Sequence, residues 1–142
     1  MSKPQVVLDT NVLVSGLRSR NGASYAVLDL VGRGLFDLHL SVPLVFEYED
    51  VLMREVAGRF VPASTVDAVL DFHCAVARQH RIYFLWRPAL RDPGDDMVLE
   101  LAVAAQADFV VTHNLRDFSG VDRFGLRAVP PRSFLAEIGA SP

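Results

Sequence analysis

Strand-like segments alternate with helix-like segments along this chain, and that alternation restricts the possible folds more than any other feature of the sequence. Strands are predicted over Gln5–Leu8, Phe36–Leu40 and Phe109–Thr112, where short apolar or alternating runs end at polar residues. Alternating strands and helices are typical of an α/β domain in which helices sandwich a mainly parallel sheet. In such sheets, ligand sites lie beyond the carboxyl ends of the strands.

Apolar residues recur at helical spacing between the predicted strands. Helices are predicted over Val12–Leu17, Ala23–Val31, Pro43–Val56, Asp95–Ala107 and Arg132–Ile138. A further helix opens near Ser64, and its stripe extends to His80, so the third strand is predicted over Arg81–Trp86. A turn-rich loop over Pro88–Gly94 and a short edge strand at Ala128–Val129 complete the pattern.

The length and composition predict a single domain over residues 1–142. A chain of 142 residues can bury one core, whereas two cores of half that size would each be marginal. Hydrophobic residues make up 51% and charged residues 22%, which is a globular balance. Cys74 is the only cysteine, and the first apolar run is only four residues long. We therefore expect a cytoplasmic protein without a membrane segment.

The charge balance bears on nucleic-acid binding in two opposite ways. A net charge of −3 counts against a broad basic surface for nucleic acid. A nuclease that holds cations with clustered acids, however, carries local negative charge that the bound metal reverses. Of the 14 basic residues 13 are Arg, which suits forked phosphate contacts, although compositional bias of the genome explains the same excess.

The first strand ends at the most informative motif, Leu8-Asp9-Thr10-Asn11. It places a carboxylate, a hydroxyl and an amide in a row at the expected ligand-binding edge of the sheet. Thr10 and Asn11 can hydrogen-bond Asp9 or nearby backbone and so fix its carboxylate. The alternative is an ordinary strand-to-helix turn that Asp9 or Asn11 caps.

Four segments together resemble a known family. They are Leu8-Asp9-Thr10-Asn11-Val12-Leu13, Ser41-Val42-Pro43-Leu44-Val45-Phe46-Glu47, Asp92-Pro93-Gly94-Asp95-Asp96 and Val110-Val111-Thr112-His113-Asn114. In order and spacing they resemble the PIN domain over nearly the whole chain, and within it the VapC-like toxins of type II toxin–antitoxin pairs. The resemblance implies a PIN-like α/β/α fold, an RNA substrate, a homodimer and a cognate antitoxin.

Carried over residue by residue, the family pattern assigns its first three acids to Asp9, Glu47 and Asp96. The resemblance implies that these three are catalytic and bind Mg²⁺ or Mn²⁺, cations that prefer hard oxygen ligands. A metal-activated water would then attack the phosphorus. The helical periodicity alone does not choose between Glu47 and Glu49, because each borders one edge of the apolar stripe. One of Asp95 and Asp96 is expected to cap the helix while the other faces the metal.

The fourth family position is where this chain departs from the commonest pattern, which has an acid. Asn114 stands there, and it can ligate a cation through its amide oxygen or orient a water. Asp117, three residues later, is the alternative that completes the catalytic set. Thr112 is expected to hold a water or a phosphate oxygen, or simply to finish the strand.

Three arginines are candidates for RNA contact. Arg18, Arg20 and Arg116 are predicted to lie in loops near the strand ends, where they would meet the RNA backbone, and surface solubility is an equally good explanation for them.

The resemblance is also compatible with two other functions. One is a housekeeping PIN nuclease in RNA processing, and the other is a non-catalytic PIN-fold module that binds RNA or protein.

Overall fold

Five parallel strands form the centre of the computed structural model, in which residues 3–81 and 93–140 are described. The strands are β1 (Gln5–Leu8), β2 (Asp37–Ser41), β3 (Arg78–His80), β4 (Phe109–Val111) and β5 (Arg127–Val129). Their order across the sheet is β3-β2-β1-β4-β5, and each neighbouring pair is parallel. The central strand, β1, therefore ends beside β4.

Helices connect the strands, as parallel pairing requires. They are α1 (Thr10–Arg18), α2 (Ala23–Leu30), α3 (Val42–Ala57), α4 (Ala63–Val76), α5 (Pro93–Ala104) and α6 (Pro131–Glu137), with short 3₁₀ helices at Leu115–Phe118 and Val121–Phe124. The prediction of an α/β/α fold around a mainly parallel sheet is confirmed. Among the described residues, no helix combines the length and the apolar character needed to cross a bilayer.

The third strand lies earlier than its periodicity predicts, so the expected helical stripe to His80 is wrong. α4 ends at Val76, Ala77 adopts an extended backbone, and β3 then pairs with β2 so that His80 lies beside Ser41. The His80 side chain also contributes, because its Nε2 lies 2.7 Å from Nδ1 of His39. Strand pairing and this contact override the local helical pattern. Arg81 is not in the strand, and residues 82–86 of the prediction lie outside the described residues.

Most other elements begin or end one or two residues from the predicted positions, and both ends of α5 differ by two or three residues. α5 begins at Pro93, two residues earlier than expected, because proline is well suited to the first turn of a helix. It ends at Ala104, and Gln106 then takes a positive φ of 52°, a conformation that does not continue a helix. The predicted loop over Pro88–Gly94 falls largely outside the described residues.

The core lies on both faces of the central strands. Val6, Val7 and Leu8 of β1 are fully buried, as expected for a parallel strand covered on both sides. α1 and α2 approach each other closely at Gly16, where a Cβ would lie 2.5 Å from Cδ1 of Leu28. This rigid central sheet supports the loops at the carboxyl ends of β1 and β4.

Candidate active site

Asp9 directly follows β1 and is held in place by its neighbours. Leu8 pairs with Val111, so Asp9 and Thr112 are the next residues on two adjacent strands, and the Asp9 N–H donates to the Val111 carbonyl at 2.9 Å. Asp9 is the N-cap of α1, and its Oδ1 accepts the Thr10 N–H at 2.8 Å. Only 6% of the residue is exposed. The helix N-terminus favours this buried negative charge.

Thr112 connects Asp9 to Asn114. Its hydroxyl donates to Oδ2 of Asp9 at 2.7 Å, and its Oγ1 accepts the Asn114 N–H at 2.9 Å. A hydroxyl has a single proton, so the donation to Asp9 leaves its lone pairs for Asn114. Thr112 therefore fixes both the Asp9 carboxylate and the position of the loop that carries Asn114.

A cleft of about 260 Å³ opens where these strand ends meet the helices. Its lining residues are Asp9, Thr10, Asn11, Val14, Glu47, Val51, Asp95 and Asn114. Three of these residues are acidic, and only Val14 and Val51 are apolar. The structure thus brings together Asp9, which follows β1, with residues from α1, α3, α5 and the loop after β4, at the edge of the sheet where the sequence predicts a ligand site.

The alternatives that the sequence left open separate in this cleft. Glu47 lines it and is half-buried, whereas Glu49 is exposed elsewhere on α3. Asn114 lines it, whereas Asp117 is exposed on a 3₁₀ helix. Of these two pairs, Glu47 and Asn114 are therefore the members that line the cleft.

The two acids of α5 occupy different environments. Both lie in the first turn of the helix, where the positive helix end favours carboxylates. Asp95 lines the cleft, while Asp96 is buried with 3% exposed. The family pattern assigns the third acid to Asp96, and the cleft adds Asp95 to the carboxylates that can reach a ligand.

The donor set of the cleft fits a hard divalent cation in its chemistry, because carboxylate and amide oxygens are the ligands that Mg²⁺ and Mn²⁺ prefer. Within residues 3–81 and 93–140, however, no three Asp, Glu, His or Cys side chains converge closely enough to form a metal centre as they stand. Asp9, Glu47 and Asp95 share the cleft without converging.

The prediction for Arg18 requires correction, because it lies in the last turn of α1 instead of a loop. Its guanidinium makes two hydrogen bonds to the buried carboxylate of Glu55, at 2.5 and 2.8 Å, and stacks 3.9 Å from the ring centroid of Phe60. Arg18 holds the pKa of Glu55 below its ordinary value. Arg18 therefore ties α1 to α3.

The other two candidate RNA contacts are exposed. Arg20 lies in the turn after α1, as predicted, whereas Arg116 lies on a 3₁₀ helix and not in an irregular loop. Arg116 is two residues beyond Asn114, which lines the cleft. Both side chains keep the accessibility that a phosphate contact needs.

Sequence reasoning missed a contact that braces the loop carrying Asn114. His113 Nε2 lies 2.6 Å from the hydroxyl oxygen of the buried Ser24, and the His113 N–H donates to Oδ1 of Asn11 at 3.3 Å. Ser24 belongs to α2, 89 residues away in the sequence. A contact over this separation leaves no local signal in the sequence.

A second missed residue is Tyr48, one of the buried residues of α3. Its hydroxyl donates to the backbone carbonyl of Leu8, immediately before Asp9. Burial, reinforced by the negative charge of Asp9, raises the pKa of Tyr48 well above its ordinary value. The one available signal was its position directly after Glu47.

Comparison with known proteins agrees with this architecture. A family model described as PIN domain matches residues 5–116, whereas no curated protein sequence matches the chain. The crystal structure of VapBC2 from Rickettsia felis bound to a DNA fragment from their promoter contains a similar chain, with a TM-score of 0.56 and 14% identity. The match covers 87% of this chain and 98% of that chain, and at this identity it shows a shared fold. The family prediction is confirmed: since the family model spans well over half of the sequence, the chain belongs to the PIN domain family.

Proposed function

We propose that this protein is a metal-dependent endoribonuclease and the toxin of a type II toxin–antitoxin pair. The observation that carries the proposal is the acidic cleft at the carboxyl edge of the sheet, which Asp9, Glu47 and Asp95 line together with Asn114. Membership of the PIN domain family supports nuclease chemistry at this cleft. The likeness to a chain of a VapBC2 structure supports the toxin role.

The residues of the cleft have distinct roles in this proposal. Asp9 and Glu47 of the cleft, together with Asp96, the buried neighbour of the cleft-lining Asp95, would hold Mg²⁺ or Mn²⁺. The bound cation would supply an activated water and charge compensation for the phosphate. Thr112 and Thr10 keep the Asp9 carboxylate oriented through their hydrogen bonds. Asn114 directs its amide toward the water or the substrate.

The proposed partners follow from the same likeness. The R. felis structure is a complex that includes promoter DNA, and we propose that this chain likewise has a cognate antitoxin and assembles as a homodimer. We propose RNA as the substrate, with Arg20 and Arg116 contacting its phosphates because both are exposed.

A pool of mixed RNA tests the proposal directly. Purified protein, free of antitoxin and shown to be folded by circular dichroism, is expected to cut the pool in Mn²⁺ and to lose this activity in EDTA, because the cleft carboxylates alone cannot compensate the charge of the reacting phosphate. Fragment patterns on denaturing gels provide the measurement. Cutting that persists undiminished in EDTA would refute metal dependence.

A non-catalytic binding module is the second candidate, and Asn114 is the observation that favours it. An amide at this position lacks the negative charge that the commonest family pattern supplies. Folded wild-type protein that binds RNA tightly in EDTA and never cuts it in Mn²⁺ would establish this candidate in place of the nuclease.

Substitutions of Asn114 and Asp117 test which of the two residues occupies the fourth family position. Asn114→Ala is expected to lower the cleavage rate about 10-fold, since it removes a polar group that lines the cleft. Asp117→Asn is expected to stay within about 3-fold of wild type, because Asp117 is exposed on the 3₁₀ helix. Initial rates on one fixed RNA provide the comparison, and the reverse order of effects would assign the fourth position to Asp117.

A further inference from the structure

The buried hydroxyl of Tyr48 joins the two segments that carry the first two acids of the cleft. Tyr48 lies on α3 directly after Glu47, and it is 1% exposed. It donates its hydrogen bond to the carbonyl of Leu8, directly before Asp9. The contact thus links backbone positions that are each one residue away from a candidate carboxylate.

Other contacts hold the Asp9 side of this link still. The Asp9 N–H bonds to Val111 across the sheet, and its side chain accepts from Thr10 and Thr112. Asp9 therefore has little freedom of its own. Glu47 lies on α3, so the position of α3 relative to β1 sets the distance between the carboxylates of Glu47 and Asp9. Among the described residues, the hydrogen bond from the Tyr48 hydroxyl to the Leu8 carbonyl ties this part of α3 to β1.

We propose that Tyr48 is a positioning residue that sets the spacing of Asp9 and Glu47 and thereby the affinity of the cleft for a divalent cation. This inference rests on the proposed function of the cleft as a metal site. Outer hydrogen bonds of this kind orient metal ligands, and their loss typically weakens metal binding about 10-fold to 100-fold. A tyrosine with a purely packing role would act through its ring alone.

Tyr48→Phe separates these roles, because it removes the hydroxyl and keeps the ring. We expect the dissociation constant for Mn²⁺, measured by isothermal titration calorimetry, to rise about 10-fold. In RNA cleavage, we expect the Mn²⁺ concentration that gives the half-maximal rate to rise by a similar factor and kcat to recover at saturating Mn²⁺. KM for RNA should stay near the wild-type value, because the buried Tyr48 does not touch the substrate. The control is Tyr25→Phe, which removes a hydroxyl from α2 outside the cleft and should leave Mn²⁺ affinity unchanged.

The possible outcomes are distinct. Wild type that binds Mn²⁺ together with a folded Tyr48→Phe that binds it equally well would overturn the role of Tyr48 and leave the proposed function standing. Wild type that binds no Mn²⁺ would overturn both. If Tyr48→Phe does not fold, 3-fluorotyrosine at position 48 provides the second measurement: its ¹⁹F resonance is expected to shift as Mg²⁺ fills the cleft, and an unchanged resonance at saturating Mg²⁺ would refute the inference.

Discussion

Asp9→Asn is expected to reduce RNA cleavage by about 100-fold or more while leaving the protein folded. The substitution keeps the size of the side chain but removes the charge that a divalent cation needs. It also disturbs the local hydrogen bonds, because both carboxylate oxygens accept, from the Thr10 N–H and the Thr112 hydroxyl, and an amide offers only one acceptor. Loss of a direct ligand should cost at least as much as the 10-fold to 100-fold typical of its supporting residues.

A matched control exists at the opposite edge of the sheet. Asp108 precedes β4, is exposed, and its Oδ2 accepts the Gln5 N–H at 2.8 Å. Asp108→Asn makes the same chemical change, and we expect its cleavage rate to stay within about 3-fold of wild type. Rates are compared on one RNA in Mn²⁺, with near-ultraviolet circular dichroism to verify folding. A folded Asp9→Asn protein that cuts as fast as Asp108→Asn would rule out Asp9 as a metal ligand.

Phe134→Ala is expected to lower the free energy of unfolding by about 3–5 kcal/mol. Phe134 is fully buried on α6, and its ring packs edge-on against Phe36 at 5.1 Å and Phe109 at 5.6 Å between centroids. Truncation removes both aromatic contacts and leaves a cavity between α6 and the sheet. A domain of this size has a total stability of about 5–15 kcal/mol, so the variant should be close to unfolding.

Urea denaturation followed by circular dichroism provides this measurement. Phe72→Ala is the control, because Phe72 is 49% exposed on α4, and we expect it to lose no more than about 1 kcal/mol. Phe134→Leu should fall between the two, since it keeps much of the buried volume. Equal losses for Phe134→Ala and Phe72→Ala would show that α6 is not packed as described.

These two substitutions also separate stability from chemistry. Asp9→Asn should lose cleavage with a much smaller fall in the unfolding midpoint than Phe134→Ala, because it disturbs only local hydrogen bonds. Any folded fraction of Phe134→Ala, in contrast, should still cut RNA. The reason is that Phe134 supports the sheet through α6, while Asp9 lies in the cleft at the end of β1. Measuring both properties on both variants therefore distinguishes a lost ligand from a lost fold.

The parts of the fold that the sequence predicted well are those with strong local patterns. β1 has the predicted bounds, because a short apolar run that ends at Asp9 is typical of a buried strand. α3 begins at Val42, one residue before Pro43, because Ser41 caps it and proline suits its first turn. The family prediction also rested on local motifs, and the family model confirmed it.

The misplaced elements are those whose local pattern competes with a distant contact. The residues at helical spacing that include His73 and His80 predict one helix. The last part of this segment instead forms β3, which pairs with β2. The local sequence predicts Arg18 in a polar loop. In the structure Arg18 lies in the last turn of α1, where it bonds to Glu55, a residue 37 positions away in the sequence. Periodicity carries no information about either partner.

The sequence by itself determined the class of fold, the strand that ends at Asp9 and the family, because apolar periodicity and short motifs are local properties of a chain. Tertiary structure decided which polar residues share the cleft: Glu47 and not Glu49, Asn114 and not Asp117, with Asp95 beside them. Whether these residues bind metal remains a prediction. The physical reason for the division is that a site of this kind forms between elements distant in sequence, and only their packing brings the side chains together.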